Sequence, residues 1–210
     1  GVQIIYGPRV TVIKSNLEDY LEIAPDEEFV ANKEQSGPNK ERTTENAQPA
    51  SNTAQTTGKS IVIHSPVTGI AADLSTAPDE AFAQKMMGDG AVVKPTGKTV
   101  CAPEDGEVSF VFDTKHAIGF VTATGISMLI HMGIDTVKLN GEGFKVFVKN
   151  GQKVKKGEPL MELDLAFLNQ QAPSMVSPIL CTELEPNQTI KLLAEGPVKA
   201  GEPLFEIITK

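Results

Sequence analysis

This sequence of 210 residues predicts an all-β fold: an antiparallel β-sandwich or barrel-like domain with a few short helices, preceded by a flexible linker. Three observations predict it. From residue 61 onward, β-prone runs recur at short intervals between turn residues, in a chain holding 14 Pro and 18 Gly. One run, Gly125-Ile126-Ser127-Met128-Leu129-Ile130-His131-Met132-Gly133-Ile134-Asp135, alternates with a period of two. Finally, Val154-Lys155-Lys156-Gly157-Glu158-Pro159-Leu160-Met161-Glu162-Leu163 nearly repeats as Val198-Lys199-Ala200-Gly201-Glu202-Pro203-Leu204-Phe205-Glu206-Ile207, so one β-unit is used twice.

The elements follow in chain order. Residues 1–23 carry a β-prone run at 10–13, then Ser15 as a helix cap with Glu18 completing a capping box. Some twenty residues cannot form a core, so this stretch reads as the tail of a domain cut off upstream. Residues 24–60 are rich in Asn, Gln, Ser, Thr, Pro and Ala and nearly lack large apolar residues after Val30; they read as a tether. The third segment, 61–210, is the β domain. Strands are expected at 60–63, 91–93, 106–112, 118–123, 126–131, 144–148, 159–163, 175–180 and 203–208, and helices at 78–87 and 165–171.

Bulk properties exclude several function classes. The net charge of −8, with no basic cluster, argues against nucleic acid. No apolar run approaches the roughly 18 residues that span a bilayer, and no secretory signal is evident, so a cytoplasmic location is expected. Cys101 and Cys181 lack CxxC spacing and read as two reduced, partly buried thiols ahead of any disulfide or metal role. With no Trp and 5% aromatics, the core must be Val, Ile, Leu and Met.

The alternating run holds the chemistry. Met128, Ile130, Met132 and Ile134 should share one strand face, with Ser127, Leu129, His131, Gly133 and Asp135 on the other. Gly133 should leave a gap beside His131 through which the imidazole is reached. A lone His in an apolar run is more often a satisfied core residue. A second histidine, His116, lies in another strand-like run, 110–120, and Thr124-Gly125 marks a turn between the two. Antiparallel pairing would bring the two imidazoles together, with Thr114 on the His116 face.

Residues 61–210 resemble the IIA domain of the glucose family of the bacterial phosphoenolpyruvate-dependent sugar phosphotransferase system. The matching stretches include Ser65-Pro66-Val67-Thr68-Gly69, Gly88-Asp89-Gly90, Ala102-Pro103-Glu104-Asp105-Gly106, Thr114-Lys115-His116-Ala117, Ile130-His131-Met132-Gly133-Ile134-Asp135-Thr136-Val137 and Leu139-Asn140-Gly141-Glu142-Gly143-Phe144. Residues 1–23 resemble the C-terminal end of a IIB domain. The resemblance implies that His131 accepts a phosphoryl group from the carrier protein HPr and passes it to a cysteine of a IIB domain. That cysteine would lie upstream of residue 1 and would serve a membrane IIC domain that imports the sugar. His116 would stabilise the phosphoryl group, and Thr114 would orient His116. No cofactor is implied. Partner contacts carried over are Asp79, Ala81, Phe82, Met87, Phe112, Leu129 and Asp135, although each apolar one, read alone, belongs to the core. Asp135 would either meet an Arg on a partner or cap a turn. His64 matches no functional position and reads as a surface or packing residue.

Three other readings compete. Facing histidines can bind adventitious zinc, but a zinc peptidase would show a third strong ligand, and the chain has only three His. A biotinyl or lipoyl carrier would need a modifiable Lys at a hairpin tip, which is lacking. A regulatory protein-binding module would use the same face as the transfer reaction.

Overall fold

The computed structural model describes residues 60–210. The expected IIB fragment at 1–23, and the expected linker up to its last residue, lie outside the described residues; Ser60 already belongs to the first strand. Among the described residues the strands are β1 (Ser60–His64), β2 (Val67–Asp73), β3 (Asp89–Cys101), β4 (Gly106–Val111), β5 (Ala117–Thr122), β6 (Ser127–His131) and β7 (Phe144–Val146). They continue with β8 (Lys153–Val154), β9 (Pro159–Leu163), β10 (Ser177–Cys181), β11 (Gln188–Leu192), β12 (Gly196–Val198) and β13 (Pro203–Thr209). The helices are α1 (Glu80–Ala83) and α2 (Leu165–Gln171), with 3-10 turns at Leu74–Thr76 and Thr136–Leu139. Every pairing is antiparallel, as expected.

The large sheet runs β12-β2-β3-β10-β6-β5-β4-β8, with β9 joining β3 to β7, and a small sheet runs β1-β13-β11. The strand expected at 91–93 lies near the start of a thirteen-residue strand, β3, whose length lets it pair with β10, β2 and β9 in turn. Strands β2, β8, β11 and β12 were not expected. β8 and β12 are two and three residues long, β11 interleaves Gln and Lys, and β2 carries Gly, two Ala and Asp, so partner strands rather than intrinsic β-propensity make them extended.

Two apolar layers sandwich the centre of the large sheet. Met128, Ile130, Ile118, Phe120 and Ile179 face the main core. Leu129, Ala117, Leu180, Val92 and Ile134 face a smaller cluster with Leu74, Ala77 and Phe82. Strands covered on both faces read as continuous apolar runs, which is why Met128, Leu129 and Ile130 are all buried where a half-buried strand was expected. Alternation stops after Met132, which still joins Met128 and Ile130 in the main core: Gly133 has φ +76° and Asp135 φ +59°, so Ile134 joins the smaller cluster instead. The helix expected over 78–87 ends after one turn, at Lys85 with φ +59°, whereas the one at 165–171 forms in full.

The sequence echo is a structural duplication. Gly157 N donates to Ala102 O (2.9 Å) and Ala102 N to Glu158 O (2.8 Å), just as Gly201 N donates to Ser65 O (2.8 Å) and Ser65 N to Glu202 O (2.8 Å). Lys156 N donates to Asp105 Oδ1 and Ala200 N to Thr68 Oγ1 in matching positions. Each copy carries a bulge, at Val100/Cys101 and at Ile63/His64. His64 is half-buried and pairs through Nδ1 with Glu104, joining the two copies.

Candidate functional site

His131 ends β6, opposite Ala117 of β5. His116 is not in a strand: the expected run 110–120 is β4, a turn and β5. Phe112 N donates to Ala117 O (3.1 Å) and Lys115, at φ +57°, donates to Phe112 O (2.7 Å), closing that turn. Ala117 pairs with His131, so the residue before it would point to the opposite face if the strand continued. The turn brings the His116 ring round instead. The two imidazoles meet edge to face, centroids 4.8 Å apart at 81°. Thr114 also reaches His116 through the turn, with Oγ1 2.7 Å from Nδ1, and not by strand parity.

Nδ1 of His131 lies 2.8 Å from Gly133 O. A carbonyl only accepts, so Nδ1 carries the proton and Nε2 keeps its lone pair. The expected gap at Gly133 is filled: a Cβ there would sit 2.6 Å from Thr136 Cγ2, and the positive φ independently favours glycine. The loop after His131 is closed throughout: Met132 N donates to His116 O, Thr136 Oγ1 to Met132 O, Gly133 N to Ser177 Oγ and Ile134 N to Ser174 O.

Rings continue on both sides of the pair. Phe82 lies 5.1 Å from His131, Phe112 5.1 Å from His116, and Phe110 5.2 Å from Phe112. Phe110 and Phe112 are each 42% exposed. Phe82 and Leu129 depart from the expected exposed rim: both are buried in the smaller cluster, forming the floor beneath the histidines. Ala81 and Met87 are half-buried, and Met87 packs on that cluster. Phe110 was missed, although it precedes Phe112 by two residues along a predicted strand.

Asp79 caps α1, its Oδ1 accepting from Ala81 N (2.9 Å) and Phe82 N (3.3 Å), and so holds Phe82 against His131. Asp135 makes no cap bond; its exposed carboxylate pairs with Lys138 at 2.7 Å, which removes the turn-capping alternative. Burial lowers the His131 pKa, opposed by the Gly133 carbonyl and the Asp79 charge. Burial, aided by charge on His131, pushes His116 down to about 4. Both rings are therefore neutral at pH 7. Cys181 is pushed up to about 12 by burial, which makes it inert. Clefts of about 590 and 660 Å³ lie elsewhere, and the histidines line neither. Among the described residues no three His, Cys, Asp or Glu side chains gather to hold a metal.

A family model described as phosphoenolpyruvate-dependent sugar phosphotransferase system, EIIA 1, matches residues 61–186. The chain belongs to that family. This EIIA chain is 49% identical over 144 residues to the PTS system N-acetylglucosamine-specific EIICBA component of Klebsiella pneumoniae. The match covers 68% of the chain and 22% of that relative, so the chain spans about a fifth of the curated protein it matches. Among solved structures, the glucose permease IIA from Mycoplasma capricolum matches with TM-score 0.66 and 35% identity, covering 70% of this chain and 96% of that one. The EIIA fold is thus the predominantly antiparallel β architecture expected from sequence.

Proposed function

We propose that this EIIA domain is a phosphoryl carrier in which Nε2 of His131 takes a phosphoryl group from a phosphohistidine of HPr and gives it to a cysteine thiolate of a IIB domain. Each step forms one bond to phosphorus and breaks another. The Nδ1–Gly133 O bond carries the reading, because it leaves Nε2 as the nucleophile beside a second neutral imidazole. Transfer of this kind needs positioning and charge stabilisation more than covalent help. In this reading the Thr114 hydroxyl, with Oγ1 2.7 Å from Nδ1 of His116, is the donor of that pair, and His116 Nε2–H donates to an equatorial phosphoryl oxygen. Phe110, Phe112, Ala81 and Met87 rim an apolar surface on which each partner docks, and the Asp79 and Asp135 carboxylates meet a partner's cation. A shallow site serves a donor delivered by another protein, whereas a small substrate would need an enclosing pocket.

The name EIICBA puts A after B in the relative, which supports residues 1–23 as the end of a IIB domain and 24–60 as the tether to IIA. Among the described residues no helix is long and apolar enough to cross a membrane. The domain works on the cytoplasmic face, beside a IIC domain.

Incubation with phosphoenolpyruvate, enzyme I and HPr should place acid-labile, base-stable label on the wild type and none on His131→Ala. His116→Gln should accept label but pass it to IIB roughly two orders of magnitude more slowly. Label persisting on His131→Ala would overturn the acceptor, and undiminished onward transfer from His116→Gln would overturn the second role.

A further inference from the structure

We infer that Ser177 is a positioning residue for phosphoryl acceptance: by fixing the Gly133 peptide it keeps the proton on Nδ1 of His131. The inference rests on the carrier reading of His131. Ser177 opens β10, a strand otherwise made of Pro, Ile, Leu and Cys, and is fully buried. Its Oγ accepts from Gly133 N at 3.0 Å and donates to Met175 O at 2.9 Å, so both roles of the hydroxyl are engaged.

Gly133 has no Cβ to restrict its dihedrals, so the direction of its carbonyl depends on what holds the two peptides flanking it. The 132–133 peptide is held by Ser177 Oγ at its N–H and by Thr136 Oγ1, 2.7 Å from Met132 O. The 133–134 peptide is held by Ile134 N donating to Ser174 O at 2.8 Å. With both planes pinned, the Gly133 carbonyl points at Nδ1 of His131. Loss of the Ser177 acceptor leaves the first plane held only at Met132 O and a buried N–H unpaired, so Gly133 rotates to pair it, the carbonyl turns from Nδ1 and the proton redistributes between the ring nitrogens.

Long-range proton–nitrogen NMR of the His131 ring reads the tautomer directly. The wild type should show Nδ1–H. Ser177→Ala and Ser177→Cys, the latter close in shape but a weak acceptor, should show mixed tautomers and roughly tenfold slower acceptance from phosphorylated HPr. Ser177→Thr, which retains the hydroxyl, should restore both. A folded Ser177→Ala or Ser177→Cys protein with unchanged tautomer and rate overturns the inference. So does rapid hydrogen exchange of the Gly133 amide in the wild type, a measurement that needs no variant to fold. A wild type that takes no label, while its His131 tautomer still responds to Ser177, sinks the carrier reading and leaves the positioning contact standing.

Discussion

Burial lowers the pKa of both histidines by penalising the charged form, which leaves His131 the lone pair that the proposed attack on phosphorus needs at pH 7. The same burial links stability to pH. Between 6.5, the ordinary value, and about 4, unfolded His116 binds a proton that the folded ring does not. Stability therefore rises with pH across that window and falls as acid is added, by roughly 3 kcal/mol if the whole shift is expressed. Urea midpoints measured from pH 7 downward should show this slope in the wild type and a shallower one in His116→Gln. Phosphoryl acceptance by His131 should likewise persist below pH 6.5, since its own pKa is lowered. A rate that halves at or above 6.5 would contradict that.

Individual elements set where these rings stand. Gly133→Ala would drive a Cβ to 2.6 Å from Thr136 Cγ2 at a φ of +76°, so the loop must shift. Label uptake should fall by at least tenfold, about what a displacement near 1 Å does to an in-line reaction, with a lower melting temperature in calorimetry. The short α1 helix depends on its cap: Asp79→Ala removes the acceptor for two backbone N–H groups and should cost about 1 kcal/mol in chemical denaturation. It should also slow transfer, because Phe82 then loses its hold against His131. The pairing of β5 with β6 was legible from two strand-like runs around Thr124-Gly125. The position of His116 was not, because a turn with Lys115 at positive φ looks in sequence like more strand. The resemblance set Phe82 and Leu129 at the rim, whereas read alone they belong to the core, and they lie in the floor within the second apolar layer.

At the scale of the molecule, two copies of one β-unit close the fold, each using a glycine turn locked onto an Xaa-Pro turn. Thr68→Val removes the acceptor for Ala200 N and should lower stability by about 1 kcal/mol without altering phosphoryl acceptance, since neither turn contributes a site residue. Equilibrium denaturation together with the labelling assay separates the two effects. The strands unforeseen in sequence, β2, β8, β11 and β12, complete this duplication: β2 with β12 matches β4 with β8, and β11 with β13 matches β7 with β9. By itself the sequence determined the β class, the repeat and the burial of Met128 and Ile130, because each follows from composition, spacing or local periodicity. Only the tertiary structure decided that the central strands are covered on both faces, that His116 reaches His131 through a turn, and that a serine in a distant strand bonds the glycine whose carbonyl meets Nδ1 of His131. Those depend on which backbone groups from far-separated segments meet, and a hydrogen bond across 44 positions leaves no trace in the pattern of either segment.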